Sequence, residues 1–237
     1  MVATATSPAA ASLTVVRERV ADRVRGGLHD ALFRGQVDRP LAQSMFRVLV
    51  ACMGPQWPQR PVQSLRLELL RSALGDGEQA IVRLEALYAR QRSERLQREV
   101  MVGLLELCQV HDDVVRGWNH FARFEREHLA VATPDQVFAF HRHRCALRTK
   151  VGVLDAADAA LQAAKAAFGR LPEAARSADK VQSLRANELD LWLAAERFAE
   201  AEAVAAELAA SAPANSFAAR RVELARSLIQ VRTGHDA

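Results

Sequence analysis

The sequence predicts an all-α fold assembled from stacked helical hairpins, and three features carry that prediction. Apolar residues recur every three or four positions along most of the chain, the spacing of a helix with one buried face. No run of alternating Val, Ile, Thr or Tyr bounded by turn residues argues for a strand. The stretch Leu74-Gly75-Asp76-Gly77-Glu78-Gln79-Ala80-Ile81-Val82-Arg83-Leu84-Glu85-Ala86-Leu87 reads as one helix ending, a tight turn and a second helix beginning. Gly75 and Gly77 permit backbone angles that other residues resist, and Asp76 stands where a side chain accepts orphan N–H bonds. Ala80 then lets two helices approach, with Leu84 and Leu87 on the same face. This grammar returns three more times downstream.

Composition narrows the class. Half of the 237 residues are apolar and 25% are charged, ordinary values for a folded chain. Only 5% are aromatic and alanine is abundant, so the expected core is long and thin. The net charge is +4, carried almost wholly by arginine, since the only lysines are Lys150, Lys165 and Lys180. Arginine suits bidentate recognition of carboxylates or phosphates, but a small balance spread over the whole length argues against a nucleic-acid partner. Cys52, Cys108 and Cys145 are odd in number and widely spaced, which argues against a disulfide framework and fits a reducing, cytoplasmic setting. No apolar run reaches the length of a membrane span. Residues 1–12, rich in Ala, Thr, Ser and Pro, read as a disordered tail, with a secretion address as the alternative.

The elements follow in order. Ser12 can cap a helix over residues 12–33, with Leu13, Val16, Val20, Val24 and Leu28 at helical spacing. Pro40 opens a second, with Leu41, Met45, Val48, Leu49 and Cys52 expected inside. Three prolines, Pro55, Pro58 and Pro61, then end it and mark a boundary around Trp57. Residues 13–61 are therefore expected to form an N-terminal helical pair with a Pro-rich loop, and 62–237 the repeats. A helix over 62–74 carries Leu65, Leu67, Leu69, Leu70 and Leu74, and its partner runs to about Arg92.

The next helix spans 93–110 with Leu96, Val100, Leu104 and Leu107 inward, and Asp112-Asp113 starts its partner. There Val114, Trp118 and Phe121 are expected to repeat Ala80, Leu84 and Leu87, a step of 34 residues. Thr133-Pro134-Asp135 caps a helix to about Val151, and Gly152 turns it into a partner with Ala157, Leu161 and Ala164 in the repeated places. Leu171-Pro172-Glu173 is expected to open the longest helix, to about Ala195; Glu196-Arg197-Phe198 makes the turn before Ala201, Ala205 and Leu208. These steps lengthen to 43 and 44 residues. After Pro213, Asn215 or Ser216 caps a final helix with Phe217, Val222, Leu224, Leu228 and Ile229, expected to close the stack.

A 34-residue helix–turn–helix step with Gly-Asp-x-x-x-Ala-[Ile/Val] at its second helix resembles the tetratricopeptide repeat. The match is clear at Leu74 to Leu87 and again where Glu196-Arg197-Phe198-Ala199-Glu200-Ala201 precedes Pro213; it is fair at Gly152 to Ala164. It is thinnest near Phe121, where Val114 replaces the family's alanine and Gln109 its glycine. The resemblance covers residues 62–215 and implies an αα-hairpin solenoid of about four pairs. It also implies a groove lined by the first helix of each pair, receiving a peptide or protein partner.

On that pattern the groove positions are Glu99, Gly103 and Glu106 in the second pair, Arg142, His143, Ala146 and Thr149 in the third, and Ala186, Asn187 and Asp190 in the fourth. Asparagine can donate to and accept from a peptide backbone at once, and Arg142 can grip a carboxylate. The basic run His141 to Lys150 leaves its own register open, because Arg144 and Arg148 fall where apolar residues are expected. No paired Cys-x2-Cys or His-x3-His suggests a metal, and no Gly-rich phosphate loop, nucleophile elbow or His-Glu-x-x-His suggests an enzyme. No cofactor is expected. The sequence thus points to a non-enzymatic scaffold, adaptor or chaperone of a bacterial cytoplasm. The alternative is a ligand-sensing domain holding a small peptide or metabolite in the same groove. A homodimer through the N-terminal helices stays open.

Overall fold

The computed structural model describes residues 23–24, 27–28, 31, 37–53, 61–212 and 216–234. Within them lie ten α-helices and two 3-10 turns, with no strand. The expected tail (1–12), most of the first expected helix and the Pro-rich loop with Trp57 lie outside the described residues. The helices are α1 (Arg39–Met53), α2 (Pro61–Ala73), α3 (Gly77–Arg90), α4 (Glu94–Val110), α5 (Val114–Glu127), α6 (Pro134–Lys150), α7 (Leu154–Gly169), α8 (Ala178–Ala194), α9 (Phe198–Ser211) and α10 (Phe217–Thr233).

Four turns join α2 to α3, α4 to α5, α6 to α7 and α8 to α9, and they are built alike. Each contains one left-handed residue: Gly75 (φ 111°), Asp112 (φ 58°), Gly152 (φ 77°) and Glu196 (φ 56°). The residue after it donates its N–H back to a carbonyl in the helix just ended: Asp76 to Arg71 (3.1 Å), Asp113 to Cys108 (2.9 Å), Val153 to Arg148 (3.0 Å) and Arg197 to Trp192 (2.9 Å). This bond satisfies an orphan carbonyl and reverses the chain. The same residue is then the N-cap of the next helix. Asp113 caps with its side chain, accepting from the Arg116 N–H. Asp76, expected to do so, makes no such bond, and its carboxylate pairs instead with Arg83.

Counting from the left-handed residue puts the four hairpins in one register. Five positions before it stand Leu70, Leu107, Leu147 and Leu191, all buried. Five positions after it stand Ala80, Gly117, Ala157 and Ala201, all buried and all small. Nine after stand Leu84, Phe121, Leu161 and Ala205, and twelve after stand Leu87, Phe124, Ala164 and Leu208, again all buried. The second hairpin thus sits three residues later than the sequence suggested. Gly117, not Val114, is the counterpart of Ala80, and Phe121 and Phe124 replace Trp118 and Phe121. Val114 is the first residue of α5 and only half-buried. Gly117 lies against α6: a Cβ there would stand 2.9 Å from Leu147 Cδ2.

The uneven steps reside in the connectors and in α7, which has 16 residues against 14 in α3 and α5, and not in the first helices α4, α6 and α8, each 17 residues long. The 3-10 turns Leu129–Val131 and Glu173–Ala175 occupy two connectors. The second of these corrects the expectation that α8 opens at Pro172 and is the longest helix. Arg176 donates to the Leu171 and Gly169 carbonyls (2.9 and 2.7 Å), holding the loop, and α8 begins after Ser177, whose hydroxyl caps Lys180 N–H. At α6 the expected start is seen in full: Thr133 and Gln136 form a reciprocal capping box with Pro134 in the first turn.

Each first helix packs on its own partner and on the first helix of the next hairpin: α2 on α4, α4 on α6, α6 on α8, α8 on α10; the second helices α3, α5, α7 and α9 also pack on the first helix that follows them. Leu28, Ala42, Leu70 and Leu74 form a small buried group joining α1 to α2. On α1 the buried face is Ala42 and Leu49 with Phe46 beside them, whereas Leu41, Met45 and Val48, expected inside, are exposed. That helix is apolar on both sides, so spacing alone could not choose the face. Leu224 and Leu228 on α10, also expected inside, are exposed; Ala218, Val222, Ala225 and Ile229 are buried instead. Arg144 and Arg148 occupy part-buried positions on α6. Arg144 lies over the Phe140 ring and grips Glu125 with two bonds (2.9 and 3.3 Å), and Arg148 lies over Trp118 and donates to the Ala156 carbonyl. Arginine fills these places because its stem packs like an aliphatic chain while its head finds acceptors.

Candidate functional site

The first helices are stitched to one another by polar side chains. Between α2 and α4, Ser72 Oγ and His111 Nε2 share a hydrogen bond of 2.5 Å. His111 also lies on Gly77, where a Cβ would come within 2.1 Å of the ring, so a larger residue there displaces His111 from its place beside Ser72. Between α4 and α6, His143 Nδ1 donates to Gln109 Oε1 (3.1 Å), and Lys150 donates to the Gln109 carbonyl (2.5 Å) while pairing with Asp112. Between α6 and α8, Asn187 Nδ2 donates to the Arg142 carbonyl (2.6 Å). Between α8 and α10, Asp190 accepts from Arg221 Nε (2.7 Å).

The centre of this seam is Arg142 and His143. Arg142 donates one guanidinium N–H to His143 Nε2 (2.8 Å), so the imidazole is neutral with its proton on Nδ1. Burial pushes the His143 pKa well below the usual histidine value, and the Arg142 charge adds to that. Burial also lowers the Arg142 pKa, with Glu106 on α4 opposing it. Arg142 forms no ion pair within 4 Å among the described residues, unlike Arg144 with Glu125 or Arg185 with Glu188. It is a half-buried cation with unused N–H groups, set between α4 and α8, and suits a carbonyl or carboxylate acceptor.

The residues expected to line a groove divide accordingly. Arg142, His143 and Asn187 come together, with Glu106 facing them. His143 and Asn187 are buried, and each gives one N–H to a neighbouring helix. Thr149 is buried and donates to the Cys145 carbonyl one turn back (3.0 Å). Asp190 is drawn toward α10 by Arg221, whose pKa burial lowers to about 10. Glu99 is half-exposed and accepts from Arg95 (3.2 Å). Gln109 and Lys150 join this seam without being among the expected groove positions. Gln109 stands three residues before its left-handed turn residue, as Ser72 and Thr149 do before theirs, so the turn register would have found it.

Two further acids are buried. Glu68 takes Arg71 (2.7 Å) and Arg83 (2.8 Å), and Glu188 takes Lys165 (2.6 Å) and Arg185 (2.7 Å). Each buried charge is thus held by two cations. Burial raises the Glu188 pKa, but the bonds to Lys165 and Arg185 outweigh it and leave it lowered. An open cleft of about 590 Å³ lies on the turn side of α3 and α5, lined by Glu78, Ile81, His111, Asp112, Asp113, Val114, Val115 and Arg116. Two of its three acids are engaged, Asp112 by Lys150 and Asp113 by Arg116. No cluster of three or more His, Cys, Asp or Glu side chains among the described residues could hold a metal ion. No described helix is long and apolar enough to cross a membrane. Compared with family models, curated proteins and solved structures, the chain matches none of them.

Proposed function

We propose that the chain is a non-enzymatic, protein-binding scaffold of the tetratricopeptide-like kind. In this reading its hairpins stack as a solenoid, and a peptide or protein segment lies along the first-helix face at Arg142. The observation that carries it is the shared construction of the four turns: one left-handed residue, one back-bond, and small or leucine residues at fixed distances on either side. A hairpin repeated in register cannot bury both faces alone, and stacking it leaves one face lined by successive first helices. On that face Arg142 has spare donors and Glu106 supplies the opposite charge, a combination that suits a peptide backbone or terminal carboxylate.

The test is selection of peptides from a random phage-displayed library on the full chain, followed by titration. Peptides so selected should lose at least about tenfold in affinity with Arg142→Ala, while the variant keeps its helical circular dichroism. Failure to enrich any peptide, or equal affinity for the variant, would remove the face at Arg142 from consideration.

A further inference from the structure

We propose that the outer face of α10 is a docking site for an acidic amphipathic helix of a partner protein. Leu224, Leu228 and Val231 are 71, 40 and 80% exposed and form a stripe along α10. Their place in the register says what such a stripe receives. α10 ends at Gly234, itself left-handed at φ 68°, and the three residues stand ten, six and three positions before it. In α2 those positions before Gly75 are Leu65, Leu69 and Ser72. That row receives α4: a Cβ on Gly103 would stand 2.6 Å from Leu65 Cδ1 and 3.7 Å from Leu69 Cδ2, and Ser72 meets His111. The two contacts advance together along both chains, so α4 runs parallel to α2. The α10 stripe therefore repeats, as Leu, Leu and Val, the surface that inside the molecule accepts a helix with a small residue at its centre.

Charge selects among occupants. α10 carries Arg220, Arg221, Arg226 and Arg232 against one acid, Glu223. Arg221 is used by Asp190. Arg220 and Arg232, one turn from Leu224 and Leu228 on the edges of the stripe, are exposed and have no ion-pair partner among the described residues. Two α10 helices packed on each other would bring like charges together, which disfavours a second copy. The stripe is one helix-contact wide, with the opposite face of α10 committed to α8 and α9, which favours a single helix over a lipid surface. The fitting occupant has a small residue flanked by apolar ones on its seam and carboxylates along its edges. This inference uses only the turn register and does not depend on the proposed guest at Arg142.

The experiment is fluorescence anisotropy with the full chain and a labelled synthetic helix of about 20 residues, with a central alanine, leucines either side and glutamate edges. Saturable binding is expected, weakening as salt rises. It should weaken at least about tenfold in Leu228→Glu and in the double variant Arg220→Glu, Arg232→Glu. All three positions are exposed, so circular dichroism should stay native, and Val115→Glu on α5 serves as the unaffected control. Absence of binding, equal binding of a lysine-edged peptide, or indifference to Leu228→Glu would each overturn the proposal. So would a sedimentation dimer abolished by Leu228→Glu, which makes a second copy the occupant. Retention on anionic vesicles lost in the same variant would also overturn it, in favour of a membrane surface.

Discussion

Two parts of the molecule use the same hairpin turn and fill the space behind it differently. From α2 to α6 the core is large: Ile81, Leu84, Met101, Leu105, Phe121, Phe124 and Phe140 are all buried, and Phe124 stacks on Phe140 with ring centres 5.0 Å apart. From α7 to α10 it is rich in alanine: Ala157, Ala160, Ala164 and Ala167, then Ala201, Ala205, Ala218 and Ala225, among leucines and valines. At the position twelve after the turn the contrast is direct, Phe124 against Ala164, both fully buried. One solution fills a wide gap with rings; the other narrows the gap by removing side chains. The turn fixes the path of the chain, and the side chains set how closely helices approach.

The comparison breaks most sharply at Phe124. Phe124→Ala leaves a ring-sized hole between α5 and α6, and the expected loss is about 3–5 kcal/mol, read from urea unfolding. A loss below about 1 kcal/mol would mean that the site collapses freely and that the two halves pack alike. The reverse substitution tests the other half. Ala164→Leu forces extra volume into a seam where Ala157, Ala160 and Ala167 leave no slack, and about 1–3 kcal/mol should be lost. The same change at an exposed alanine of α9, Ala209→Leu, should cost little. Equal effects at the two alanines would show that the alanine-rich half is loosely filled.

The helices of the alanine-rich half were legible in the sequence because Gly152, Glu196 and the alanines after them keep the expected spacing. The second hairpin was misread by three residues because glycine, not alanine, holds the close contact at Gly117, and Val114 looked like the nearer substitute. Faces were misassigned on α1 and α10 because each carries apolar residues on two sides, and only tertiary packing selects one. Arg142, His143 and Asn187 were legible as neighbours, since they share one face of successive first helices. That His143 and Asn187 bond to adjacent helices was not legible, because the partner of Asn187 is a backbone carbonyl and that of His143 is an amide on another hairpin. Neither leaves a trace in local spacing.

The halves should also differ in acid. His120, His128, His141 and His143 all lie on or beside α5 and α6, and burial lowers the pKa of each. A buried histidine held neutral in the folded state binds its proton more readily when unfolded. Stability from these groups is therefore complete above the unfolded value near 6.5 and falls as pH drops below it, by up to about 1.4 kcal/mol per pH unit for each histidine. Urea midpoints at neutral pH and one unit below the histidine range should diverge, and His143→Gln should flatten part of that slope. Gln can still donate to Gln109, so the variant remains folded. An unchanged slope would mean that His143 gains a proton without leaving its place.

The smallest effect separates the turns themselves. Gly75 and Gly152 adopt positive φ without strain, whereas Asp112 and Glu196 hold the same conformation with a Cβ. That conformation costs an ordinary residue about 1–2 kcal/mol. Glu196 is exposed and its side chain makes no hydrogen bond or ion pair in return among the described residues. Glu196→Gly removes the strain but adds about 0.4–1 kcal/mol of unfolded-chain entropy, so a net gain of under about 1 kcal/mol is expected. Asp112→Gly should gain less, because it also gives up the exposed pair with Lys150, itself worth under about 1 kcal/mol. Gly152→Ala, the opposite change in the hairpin between them, should lose about 1 kcal/mol. Thermal midpoints of the three variants should thus rank Glu196→Gly highest and Gly152→Ala lowest. Any other order would mean that the four turns, alike in backbone, do not share one conformational constraint.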